Sequence, residues 1–211
     1  MNIERINNLT SYGAGWVLWV LVVASVIALA IVIERAIVLW SSRDNVLRVR
    51  RELRTLLGRG DLVAAKKRLD QSPSFEAAIA RAGLDADGAP SAEERMRGEQ
   101  QVARLSLERH LGFLGTLGSN APFIGLLGTV IGVVRAFGQL SESSGQVSAG
   151  LLAEIGEALI ATAVGILVAL PAIAFFNLFQ RAIKSRLGQS EALYHEVLAY
   201  LKTRPETQDA E

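Results

Sequence analysis

Residues 14–33 read AGWVLWVLVVASVIALAIVI, twenty residues without a charge. At a rise of ~1.5 Å per residue, such a run matches a hydrocarbon core of ~30 Å, so it predicts a first transmembrane helix. Trp16 and Trp19 at one end and Trp40 at the other stand where interfacial aromatic anchors belong, and Glu34 and Arg35 sit where charged heads snorkel out. The leading segment MNIERINNLTSYG has one Arg balanced by one Glu and no basic run, and more apolar stretches come after it, so an uncleaved helix is expected rather than a cleavable signal. All bulky Val, Leu, Ile and Trp, this span reads as lipid-facing.

Two further stretches extend the pattern. Leu111 to Val134 (LGFLGTLGSNAPFIGLLGTVIGVV) is uncharged through 24 residues but rich in Gly and interrupted by Pro122. Ile155 to Phe179 is charged only at Glu157 and contains Pro171. Gly and Pro are tolerated inside spans where neighbouring helices satisfy the freed backbone, so these two helices are expected to face protein. The chain as a whole has 211 residues, half of them hydrophobic and 20% charged, so its apolar residues must be clustered.

Lys and Arg set the orientation. They crowd the segment after span one (Arg35, Arg43, Arg48, Arg50, Arg51, Arg54), the approach to span two (Arg95, Arg97, Arg104, Arg109) and the tail (Arg181, Lys184, Arg186). The N-terminus has only Arg5, and QLSESSGQVSAG between spans two and three has none. The expected layout is all-α: an integral membrane protein with three transmembrane helices, two of them extended into a cytoplasmic helical domain. Its parts are an external N-terminus (1–13), helix 1 (14–40), a cytoplasmic insert (41–109), helix 2 (110–137), an external loop (138–150), helix 3 (151–179) and a cytoplasmic helix and tail (180–211).

Within the insert, 43–57 has helical spacing ended by Gly58 and Gly60, and Asp61 caps a second helix. Pro73, Gly83, Gly88 and Pro90 punctuate the stretch beyond it, and Ser91 with Glu94 forms a capping box. No breaker stands between that box and the membrane, so one continuous helix from about 92 to 137, bent near Pro122, is expected; the third span should continue to about Leu201. The basic patches read as solvated helix faces and positive-inside topology.

Several function classes fall away on composition. Net charge is +1, which offers no field for a nucleic acid. There is no cysteine and there are two distant histidines, so a disulfide framework, thiolate catalysis, a His-based triad and a metal site are all disfavoured. The chain is expected to be neither an enzyme nor a cofactor or metal binder. GLLGTVIG (125–132) lacks the GK[ST] of a phosphate loop, and Asn8-Leu9-Thr10 is too common a glycosylation pattern to weigh.

Small residues mark the two protein-facing spans. Gly118, Pro122, Gly125, Thr129, Gly132 and Ala136 recur at spacings of 4, 3, 4, 3 and 4, and Ala158, Thr162, Gly165, Ala169 and Ala172 repeat the pattern around Pro171. Such stripes let backbones approach closely and suit a self-associating ring or bundle. Thr129 and Thr162 either bond to a helix backbone or line a passage for protons, water or a partner helix. Glu157 is the sharper signal, since a carboxyl group within a span points to a proton or ion pathway, although it lies near the external end. Asn120 is a further polar group for a water chain. Arg135 has Glu154 and Glu142 within reach, with snorkelling the favoured reading, and His110 reads as interfacial.

SNAPFIGLLGTVIGVVRAF (119–137) and IGEALIATAVGILVALPAIAFFN (155–177) closely resemble the paired signature of the ExbB/TolQ/MotA proton-channel family, and three spans with a cytoplasmic insert resemble its ExbB/TolQ branch. In that resemblance Thr129 is the GLLGTV threonine, Glu157 the acid of EALIATA and Thr162 its threonine, residues that line the pore or meet a partner's helix; Pro122, Pro171 and Asn177 also match. Asn120 departs from the Ser or Thr at that position, and Glu154 has no counterpart. The resemblance implies a homopentamer in the bacterial inner membrane, enclosing two helices of an ExbD/TolR-like single-span partner whose membrane aspartate shuttles protons. Spans two and three contain no Asp of their own. The implied function is a proton-channel ring of a proton-motive-force-driven motor, serving a TonB-, TolA- or gliding-type effector. A non-conducting membrane scaffold is the competing reading; a solute permease is weaker, because there is no inverted repeat.

Overall fold

A computed structural model describes residues 15–142 and 147–203, as seven helices with no strand among the described residues. They are α1 (Gly15–Ser41), α2 (Val46–Gly58), α3 (Leu62–Asp70), α4 (Phe75–Leu84), α5 (Ala89–Glu108), α6 (Leu111–Glu142) and α7 (Ala149–Thr203). Three of them, α1, α6 and α7, are long and apolar enough to cross a membrane. With 27, 32 and 55 residues, they reach roughly 40, 48 and 82 Å at ~1.5 Å per residue. The N-terminal segment, the glycosylation pattern at Asn8 and the middle of the loop between α6 and α7 lie outside the described residues.

The chain divides into two compact units, and α1 and α7 contribute to both. The first comprises residues up to Ile33 together with His110–Leu178. There α1 buries Val17, Leu21 and Ala28, one helical stripe, and leaves Trp19, Val23, Val26 and Leu29 exposed. Helices α6 and α7 meet backbone to backbone. A Cβ placed on Gly125 would lie 2.7 Å from the Ala161 carbonyl oxygen, one on Gly165 2.6 Å from that of Ala121, and one on Gly132 2.5 Å from Ala158 Cβ. Between apolar helices in lipid there is little hydrophobic drive to associate, so this van der Waals closeness is a principal part of what holds the pair.

The second unit comprises Glu34–Arg109 and the chain from Phe179 onward. Its core is Val49, Leu53 and Leu57 of α2, Leu69 of α3, Ile79 and Leu84 of α4, Met96 of α5, and Leu193 and Val197 of α7. Side chains cap three of its helices: Asn45, Asp61 and Ser74 accept from the backbone N–H of Arg48, Ala64 and Ala77. Helix α4 fills the stretch that the sequence presents only as Pro and Gly punctuation, because Ser74 starts a turn whose small apolar residues pack inward. Helix α5 starts at Ala89, with Gly88 at φ 90 as its N-cap and Pro90 in its first turn, so the Ser91–Glu94 pair does not form the cap.

The single helix expected over about 92–137 is two helices. The helical run breaks at Arg109–His110, where His110 takes φ 62. Neither Gly nor Pro marks the break; a tertiary contact supports it. Arg35 Nη1 donates to the carbonyls of Ser106 (2.9 Å) and Leu107 (3.4 Å), two of the acceptors that the end of α5 leaves without an intrahelical donor. Arg35 is only 4% exposed, so it acts inside the unit instead of snorkelling.

Arg186 departs from its expected role as a solvated flank charge in the same way. It binds Glu76, which is fully buried, through Nε–Oε1 and Nη2–Oε2, both 2.9 Å. It also donates to the Leu39 carbonyl (3.2 Å), to Ser42 Oγ (2.8 Å) and to the Ser42 carbonyl (2.6 Å), and it lies 4.4 Å over the Phe75 ring. All five guanidinium donors are used, which is the condition for burying an ion pair without heavy loss.

Glu76→Ala strands that guanidinium and should destabilise the protein in detergent by about 3–5 kcal/mol, whereas Arg50→Ala, which breaks the exposed Arg50–Glu196 pair, should cost less than about 1 kcal/mol; thermal unfolding followed by helical circular dichroism compares the two. In the helix pair, Gly165→Val should cost about 1–3 kcal/mol through overpacking, while Gly156→Ala, which meets nothing within 4 Å, should be neutral or stabilising in the same assay. A pH series tests a third feature. Hydrogen bonds from Arg81 and then Lys66 lower the Asp85 carboxyl from 3.8 to about 2. A carboxyl lowered on folding stabilises only while ionised, so its contribution is full above the unfolded value and is lost as pH falls toward about 2. Asp85→Asn should lower stability near neutrality and remove part of the acid sensitivity between pH about 4 and 2, so that the variant and the natural chain converge toward pH about 2.

Candidate functional site

The contact between α6 and α7 brings two threonines together. Thr162 Oγ1 donates to the Gly125 carbonyl at 3.1 Å and lies 3.5 Å from Thr129 Oγ1. Thr129 donates to the Leu126 carbonyl on its own helix at 2.7 Å. The first contact exists because Gly125 has no side chain to hold α7 away; with a Cβ there, Thr162 Cα would be only 3.0 Å distant. Both threonines are half-buried in the isolated chain.

Glu157 lies five residues before Thr162 on α7, roughly 7.5 Å along the axis. It is half-buried, and its Oε1 is 3.1 Å from where a Cβ on Gly15 would stand, so the carboxylate rests against the start of α1. One turn earlier Glu154 pairs with Arg135 of α6 at 3.0 Å; Arg135 is thus engaged by an acid instead of reaching for headgroups. Glu154 Oε2 and Trp16 Nε1 are buried without a hydrogen-bond partner among the described residues, as water-binding groups often are.

Asn120 stands apart. It is exposed, and its Nδ2 donates to the Thr116 carbonyl (2.8 Å) and to Ser119 Oγ (3.2 Å) of its own helix. Nine residues, roughly 13 Å, separate it from Thr129, too far for a direct link. Gly118 packs on Ile173, Gly125 on Ala161 and Gly165, and Gly132 on Ala158. Ala158 and Ala169 are buried, Pro122 is half-buried and Pro171 exposed. The two small-residue stripes therefore face each other within one chain, and the surface left for other molecules carries bulky side chains, with Phe123, Val130, Leu159, Leu167 and Leu170 exposed.

Two participants are not apparent from spacing alone. Gly128 falls between the residues of the stripe, yet a Cβ on it would be 2.7 Å from Ala161 Cβ and 3.3 Å from Val17 Cγ1, so it receives α1 as well as α7. Gly15 is the other; the only sequence signal is a glycine at the mouth of an otherwise bulky span. Among the described residues no group of His, Cys, Asp or Glu is arranged to hold a metal ion. The helix pair has two hydroxyls in line and, at one end, Glu157 beyond the acid that Arg135 engages, which suits guiding a proton or a polar partner more than making or breaking covalent bonds.

Comparison with known proteins identifies the family of the helix pair. Residues 71–192, more than half of the chain, match the MotA/TolQ/ExbB proton channel family. The biopolymer transport protein ExbB of Neisseria meningitidis is 29% identical over 186 residues, covering 82% of this chain and 84% of the relative. The Tol-Pal system protein TolQ of Pseudomonas aeruginosa is 34% identical over 128 residues, 60% of this chain and 55% of the relative. A Helicobacter pylori protein named ExbB-like 2 is 37% identical over 99 residues, 47% of this chain, and the match spans 66% of that relative. With two apolar helices meeting at a threonine pair, a third apolar helix beside them, and this match across both, the chain is a membrane protein that belongs to the MotA/TolQ/ExbB proton channel family.

Proposed function

We infer that the protein is the ring-forming proton-channel subunit of a motor in the bacterial inner membrane, driven by the proton-motive force, and that it energises an envelope process such as TonB-dependent transport, Tol-Pal function or gliding. The observation that carries this is the Thr162–Thr129 contact on a helix pair with Glu157 at one end and no aspartate in either span. Hydroxyls pass a proton or orient water but do not store a charge, and one terminal acid is too distant to serve the whole bilayer. The missing titratable group is supplied by an ExbD/TolR-like single-span partner, two copies of which stand inside a homopentamer. The layout has the N-terminus outside, the 41–109 insert and the 180–211 tail in the cytoplasm, and Arg and Lys weighting on that side supports it.

Because the glycines and alanines of the α6 and α7 stripes are spent on each other within one chain, ring contacts are made by the exposed bulky residues, and the half-buried Thr129, Thr162 and Glu157 turn their open sides to the partner helix. Each proton crossing yields ~2.3 kcal/mol per 100 mV, enough to bias rotation of the ring against the inner helices over a modest barrier. The competing scaffold reading draws on the same hydrogen bonds, since both threonine hydroxyls are engaged by helix backbone.

Proton flux into liposomes holding the protein with and without its single-span partner separates the two. Flux should require both chains and should fall at least about ten-fold in Thr162→Val and in Glu157→Ala, with the ring still assembled. Losing the Thr162 hydrogen bond costs only about 0.6 kcal/mol of helix association, so unfolding would not account for such a fall. Wild-type flux in both variants would remove these residues from the pathway, and the absence of flux in a complex driven by its load would favour the scaffold.

A further inference from the structure

We propose that Gly15 is the positioning residue of Glu157: the bare Cα at the start of α1 forms a seat that holds the carboxylate on its side of the helix bundle. The proposal rests on the proton-channel reading above for its consequence in function, and on geometry alone for the seat itself.

Three observations converge. A Cβ on Gly15 would lie 3.1 Å from Glu157 Oε1, closer than an ordinary van der Waals contact, so the acid uses the space that a side chain would fill. Helix α1 cannot readily back away, because Val17, two residues on, is fully buried and packs against Gly128 of α6, and Leu21, one turn further, is fully buried as well. The arginine on the facing helix, Arg135, is engaged by Glu154, one turn from Glu157, so these two acids near the start of α7 stand against different helices: Glu154 against α6 and Glu157 against α1. Helix α1, whose sequence reads as a plain lipid-facing anchor, thereby becomes part of the acid's site. A β-branched side chain at position 15 would drive the carboxylate off its seat, and a shorter acid at 157 would make room again.

Two experiments test the inference separately. The natural chain has no cysteine, so Gly15→Cys with Glu157→Cys can be bridged by a short bifunctional thiol reagent in native membranes without background. The expected product is a link within one chain; no link, or a link between chains, overturns the seat whatever the flux shows. In liposomes with the partner, Gly15→Val should lower proton flux by about ten- to a hundred-fold, the scale of a small misplacement at a reacting group. Adding Glu157→Asp should restore flux to the level of Glu157→Asp alone, a recovery that a purely structural defect in α1 would not show. Wild-type flux in Gly15→Val, or equal impairment with either acid, overturns the positioning role. If the intrachain link forms but the unaltered complex passes no protons, the seat stands and the proton reading fails.

Discussion

The close approach of α6 and α7 is the constraint on which the membrane unit depends. Two apolar helices in lipid gain little by hiding apolar surface from each other, so their association rests on contact distance, and contact distance rests on what stands at Gly118, Gly125, Gly132 and Gly165. The same closeness puts the Gly125 carbonyl within reach of Thr162 and sets Thr162 beside Thr129. Packing and chemistry are therefore one arrangement: any side chain that separates the helices also separates the hydroxyls. The third helix is admitted at Gly128, where Val17 rests, and that register brings Gly15 to Glu157.

The other unit is organised by two buried arginines, each doing what a peptide segment alone cannot. Arg186 joins the end of α1, the start of α4 and α7 through five hydrogen bonds and a ring contact. Arg35 takes up carbonyls at the end of α5 and so supports a helix break that no local residue demands. Guanidinium suits both tasks, because its charge is permanent and its donors fan out in a plane. Removing either would leave buried acceptors, or a buried acid, without a donor, so these cations serve shape while many of their neighbours stand on exposed helix surfaces. In a sequence with many arginines near span ends, buried and exposed ones look alike.

Much of the architecture was legible because it depends on one-dimensional quantities. Twenty uncharged residues span a bilayer whatever lies beside them, and the length of α7 reflects the absence of a breaker before Thr203 other than Pro171, which a membrane helix tolerates. The cap at Asp61 is local too, needing only a side chain and a backbone N–H three residues on. The break at His110, helix α4 and the start of α5 were not legible in the same way. Arg35 acts across more than seventy residues of chain, and the capping box at Ser91 yields to a glycine that begins the helix earlier. At the candidate site, the spacing of small residues showed that a close contact exists, while its partner, the facing helix of the same chain instead of a neighbouring subunit, is a matter of three-dimensional packing.

The sequence by itself determined the number of spans, the charge asymmetry around them and the residue types in the polar seam, because hydropathy, length and periodicity are properties of a segment in isolation. Only the tertiary structure decided which groups meet: Thr162 with Thr129, Glu154 with Arg135, Glu157 with Gly15, and Arg186 with Glu76. Each of those pairs joins different helices, and the distance between two helices is set by the small side chains that let them approach, summed along the whole contact, which no single stretch of sequence contains.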